Sequence, residues 1–216
     1  MLDVAGAAAC TGDEDMTAAT EIRLTEPADA VHGDVGSWAM VLFCCTEAAL
    51  FAYLLASYFY LGVHNAEWPP AGVGAPSLPK PLLMTVCLVS SSIVLAFADR
   101  ARARGRSDTY RIGVLGTIAL GIGYLAIMAL EYREKLEFMT PQSGAYASTF
   151  YLTTGFHGTH VLLGLLILAW TLAADVRHRL VGEPPVAVAN ASLYWHFVDG
   201  VWLVILTCLY LSPRWY

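Results

Sequence analysis

Apolar residues in this chain do not alternate with polar ones; they run on unbroken, and charge gathers in short stretches between the runs. The runs predict five helices, at about 36–62, 81–98, 110–131, 144–174 and 188–212. Each can cross a hydrocarbon core ~30 Å thick, because a helix rises ~1.5 Å per residue. Between them, EWPPAGVGAPSLPKP, DRARARGRSDTYR and GEPP supply the proline, glycine and arginine that end helices and turn the chain. The expected fold is an all-α integral membrane protein, a bundle of five transmembrane helices over residues 36–216. Connections this short leave no room for a soluble catalytic domain.

Composition agrees with the pattern: 57% of the 216 residues are hydrophobic and 14% charged, outside the balance of a soluble domain. Charge changes the picture at two places. Residues 1–35 hold eight acids against the single base Arg23, which predicts an acidic flexible tail. The tail lacks the basic start and apolar core of a signal peptide. In the loops, Arg100, Arg102, Arg104, Arg106, Arg111, Arg177 and Arg179 fall on one side, against Lys80, Arg133, Lys135 and Arg214 on the other. Basic loops stay inside, so the N-terminus is expected in the cytoplasm and the C-terminus outside.

Against this apolar background a few polar residues stand out. Glu47 lies about eleven residues into the first helix, ~16 Å deep at the helical rise. Ser90, Ser91 and Ser92 reach comparable depth on the second helix. The fourth carries His157 and His160 in FHGTH, and the fifth carries His196 and Asp199 in WHFVD. Residues three apart share a helix face. Carboxylates in lipid are costly, so Glu47 and Asp199 must have partners or be neutral.

Three readings fit these residues: interhelical bonding that fixes the bundle, proton handling, and metal or haem ligation, for which histidine is the commonest ligand. Only three histidines lie within the helices. Cys44 and Cys45 diverge around their helix, and Cys10, Cys87 and Cys208 are isolated, so no cysteine pair has metal-ligand spacing. No internal repeat and no phosphate-binding loop occurs, and nucleic acid is not an expected partner.

Taken together, TEAALFAYLLASYFYLG, EYREKLEF, GFHGTHVLLG and YWHFVDGVW resemble, in order and over about residues 36–212, the third subunit of haem-copper respiratory oxidases. The five-helix length resembles the shorter bacterial form, which lacks the first two helices of a seven-helix version. The resemblance implies an accessory subunit of an aa3- or caa3-type cytochrome c oxidase in the bacterial plasma membrane. It implies no redox centre, metal or catalytic residue in this chain, with haem and copper in the partner subunits. Direct contact with the catalytic subunit I, a place beside subunit II, bound phospholipid and support of proton uptake are the further expectations.

Carried over by position, Glu47 matches the family's intramembrane carboxylate, His157 and His160 its F-H-G-x-H motif, and His196 and Asp199 its W-H-F-x-D motif. Glu131 and Tyr132 match an E-Y pair at the outer end of helix three. Near the cytoplasmic boundary, His32, Asp34, Asp175 and His178 are candidates for collecting protons for the partner subunit. Quinol oxidases and proteins associated with nitric oxide reductase share the fold but have aspartate at the helix-one position, so Glu47 favours the cytochrome c branch. A stand-alone transporter is the alternative from another class; the absence of an inverted repeat speaks against it.

Glu47, His160, His196 and Asp199 are expected in one interior polar layer, because their depths agree within about two helical turns. Glu47, among Phe43, Leu50 and Phe51 of its own face, is expected to be neutral.

Overall fold

The computed structural model describes residues 35–65, 67–70, 77–177 and 186–212. Within these, the apolar runs form five helices long and apolar enough to cross a membrane. We label them α1 (Val35–His64), α2 (Pro79–Ala103), α3 (Ser107–Phe138), α4 (Ala145–Val176) and α5 (Val186–Ile205). The last turns of α5, Leu206–Leu211, open to π-helical spacing. No strand occurs among the described residues. The expected acidic tail, and with it His32 and Asp34, lies outside the described residues, as does His178.

The helices outrun the predicted spans wherever a charged turn can sit in water at the membrane surface. α3 ends at Phe138 rather than near 131, because nothing between Glu131 and Phe138 breaks a helix; the chain turns extended at Met139, with Pro141 following. α2 starts at Pro79, a position where the missing N–H would have no helical partner anyway. It closes where Gly105, at φ +73°, donates its N–H to the Arg102 carbonyl at 2.8 Å. That left-handed turn is open to glycine at no steric cost.

Helices α2, α3, α4 and α5 close a ring in which each packs on its two neighbours, and α1 lies outside against α4 and α5. The closest approach is between α2 and α3: a Cβ on Gly113 would sit 2.5 Å from the Ala98 Cβ. Trp195 of α5 fills the ring's centre. Its indole fits where α3 and α4 carry glycine, since a Cβ on Gly121 would stand 2.8 Å from its Cη2 and one on Gly164 2.9 Å from its Cε3. Small residues at crossings let membrane helices touch closely. Trp195 Nε1 donates to Ser91 Oγ at 3.0 Å and Trp202 Nε1 to Thr85 Oγ1 at 2.9 Å, so two indoles tie α5 to α2.

Candidate functional site

One polar contact inside the apolar layer joins α1 to α4. His160 Nε2 and Glu47 Oε2 are 2.9 Å apart, and both side chains are largely buried. Phe51, one turn beyond Glu47, packs edge-on against the His160 ring at 5.1 Å between centroids and against His157 at 6.2 Å. His160 Nδ1 lies 2.7 Å from the Phe156 carbonyl. A carbonyl only accepts, so Nδ1 carries a proton. Nε2 then either accepts from a neutral Glu47 carboxyl or, in an imidazolium, donates to a carboxylate. In both states a single proton lies between the two side chains and the pair is electrically neutral. The expectation of a neutral Glu47 therefore becomes a property of the pair, with a histidine as the partner.

His157 faces the other way. It is fully buried, stacked on Trp202 at 5.4 Å and edge-on to Tyr124 at 5.8 Å. Neither ring nitrogen makes a hydrogen bond, and the buried hydroxyls of Tyr124 and of Thr153, one turn earlier on α4, are likewise unpaired. Its role in the fold is to fill the centre of the ring.

His196 and Asp199 do not join Glu47 and His160. Among the described residues no hydrogen bond or ion pair links the two groups. Both sit where α5 runs along α2: Asp199 lies against Ser92, and Asp99 of α2 lies against Ser192 of α5. The exposed His196 ring is within electrostatic reach of both carboxylates. Equal depth placed these residues in one layer, but depth says nothing about direction around a helix. Sequence reasoning missed Asp99 because it opens the DRARAR run and reads as loop. The available signal was its spacing of seven from Ser92, which puts both on one face of α2.

The two ends of the bundle hold the remaining candidates. Glu131 is buried, with Lys135 Nζ 3.4 Å from its Oε1, and Lys135 also stands over the Phe150 ring at 5.0 Å. Tyr132 Oη bonds Thr154 Oγ1 at 2.6 Å, tying α3 to α4. Lys80 pairs with Glu134. At the opposite end, Asp175 is not a surface group: it is buried, with Oδ2 accepting from Arg111 Nε at 2.8 Å and Oδ1 paired with Arg102. One carboxylate thus clamps α2, α3 and α4. Among the described residues no three His, Cys, Asp or Glu side chains converge as a metal site would require.

A family model for cytochrome c oxidase subunit III matches residues 21–215. The chain is 33% identical to the cytochrome c oxidase subunit 3 of Neurospora crassa, over 79% of this chain and 65% of that protein. Against the subunit 3 of Anopheles gambiae it is 32% identical, over 80% of this chain and 68% of the relative. Against that of Thermostichus vulcanus it is 32% identical, over 85% and 90%. The chain thus spans about two thirds of the length of the first two relatives and nearly all of the third.

Proposed function

The chain belongs to the cytochrome c oxidase subunit III family, and on that premise we propose that it is a non-redox accessory subunit of an aa3- or caa3-type oxidase in a bacterial plasma membrane. It contacts the catalytic subunit directly, shares the complex with the second subunit, holds phospholipid and supports proton uptake while oxygen is reduced. Haem and copper reside in the partners. The N-terminus is cytoplasmic.

The observation that carries this reading is where the intramembrane polar groups are used. Glu47 with His160, Trp195 with Ser91, and Trp202 with Thr85 each join two helices inside the apolar layer. A bundle braced this way suits a scaffold that steadies a neighbour. A transporter would need its polar groups lining a passage with two alternating openings. The proton-collecting part of the proposal rests on His32, Asp34 and His178, because Asp175 has both oxygens engaged by guanidinium groups.

Affinity purification of the tagged chain in mild detergent tests the proposal. The expected product is a complex with partner subunits and a reduced-minus-oxidised haem spectrum. A chain that purifies alone, free of haem, and drives solute uptake into liposomes would overturn it.

A further inference from the structure

Resting on the reading that this chain is one subunit of a larger membrane complex, we propose that the outer face of α5 around Gly200, flanked by Asp99 of α2, is the docking seam for one transmembrane helix of a different subunit. That helix crosses close over Gly200 and presents a cationic or hydrogen-bond-donating side chain to His196, Asp199 and Asp99.

The outward positions of α5 recur at alternating intervals of three and four, through Leu193, His196, Gly200, Leu203 and Thr207, and form one straight strip. The outward strip of α3 has the same spacing and reads Ile112, Leu115, Ala119, Ile122 and Ala126. The α3 strip is what lipid requires. The α5 strip has an exposed imidazole and a bare glycine at its middle. His196 is ten residues from the start of α5, ~15 Å along its axis at the helical rise and so near mid-membrane. Histidine and aspartate are too short to reach the headgroups as lysine and arginine do.

Polar capacity is left over beside the strip. Asp99 and Asp199 each keep a buried oxygen without a bond. Ser92 and Ser192, each only 8% exposed, set their hydroxyls against these carboxylates without closing a hydrogen bond. Asp99 has Arg102 as well as His196 within electrostatic reach, but among the described residues Asp199 faces only the Ser92 hydroxyl and the exposed His196 imidazole, so a partner's donor or cation beside His196 and Asp199 completes the set. A second copy of this chain would bring the same acidic flank onto its like, which charge repulsion opposes. Gly200 supplies the close approach: a Cβ there meets nothing within 4 Å, and backbone at that distance admits another helix.

The test uses the intact complex, purified through a tag on this chain, with a photoreactive benzoylphenylalanine at Leu203 or, as control, at Ile122 of the α3 strip. The expected result is an adduct with another subunit from Leu203 and none from Ile122. No adduct from Leu203 in a haem-carrying complex, an adduct with a second copy of this chain, or an adduct from Ile122 alone overturns the seam. Gly200→Leu is expected to release the subunit captured from Leu203 while the chain unfolds at the wild-type temperature. Gly123→Leu, where a Cβ also meets nothing within 4 Å, is expected to keep the partner. Retention by Gly200→Leu counts against the seam alone, whereas a wild-type chain that carries no haem removes the oxidase reading beneath it.

Discussion

The bond between Glu47 and His160 shows what one intramembrane carboxylate can do at little cost. With Nδ1 committed to the Phe156 carbonyl, the pair holds one proton between Nε2 and Oε2 and no net charge, so no isolated ion faces the apolar interior. Replacement tells which half of the bond matters. Glu47→Gln keeps the shape and offers an amide N–H to an unprotonated Nε2, so the bundle should unfold within about 1 kcal/mol of wild type, the net worth of an ordinary hydrogen bond. Glu47→Ala leaves Nε2 buried and unpaired and should cost roughly 1–3 kcal/mol. Thermal unfolding in detergent checks both, and equal losses from the two variants would reject the neutral pair. That Glu47 and His160 lie at one level was legible from depth. That His196 and Asp199 turn away from them was not, because a depth estimate contains no azimuth.

Among the helices, α5 shows how sequence and packing share the work. Its number, span and polar residues could be read directly, but not its two indole bonds, since tryptophan in an apolar run looks like core filler. Trp202→Phe should cost about 1 kcal/mol by losing the bond to Thr85, and Thr85→Val a similar amount. The double variant should cost clearly less than the sum, because each change removes the same bond. Additive losses in a double-mutant cycle would mean that the bond contributes nothing. The glycines facing Trp195 give a complementary case. Gly164→Ala drives a methyl to 2.9 Å from the indole and should cost roughly 1–3 kcal/mol by overpacking. Gly123→Ala meets open space and should gain up to about 1 kcal/mol from helix propensity. The two alanine variants differ only in what the new methyl meets, so melting temperatures that move together would exclude the notch as the cause.

For the bundle as a whole, the helix count follows from the apolar runs, but the order around the ring does not. Lipid and protein interior are both apolar, so no polar stripe marks which face of a run looks inward, as it would on a helix at the surface of a soluble protein. The charged ends carry that information instead, as pairings that only the fold reveals. Asp175 is the clearest: α4 brings it between Arg102 of α2 and Arg111 of α3, so three helices meet at one carboxylate. Its side chain is 7% exposed and the two arginines 19% and 28%, which places the clamp between a buried pair and a surface one. Breaking a buried pair costs about 3–5 kcal/mol. An exposed pair is worth about 1 kcal/mol or less. Asp175→Asn should accordingly fall between these limits. It leaves two guanidinium groups facing one another across a neutral amide, and added salt should partly restore stability by screening that repulsion. Glu134→Gln, which removes the Lys80 partner from a side chain 66% exposed, should change stability by no more than about 0.5 kcal/mol. The comparison is made by unfolding both variants at low and high ionic strength. If Asp175→Asn proves as mild as Glu134→Gln, the ends of α2, α3 and α4 are held by packing alone and the clamp is incidental to the fold.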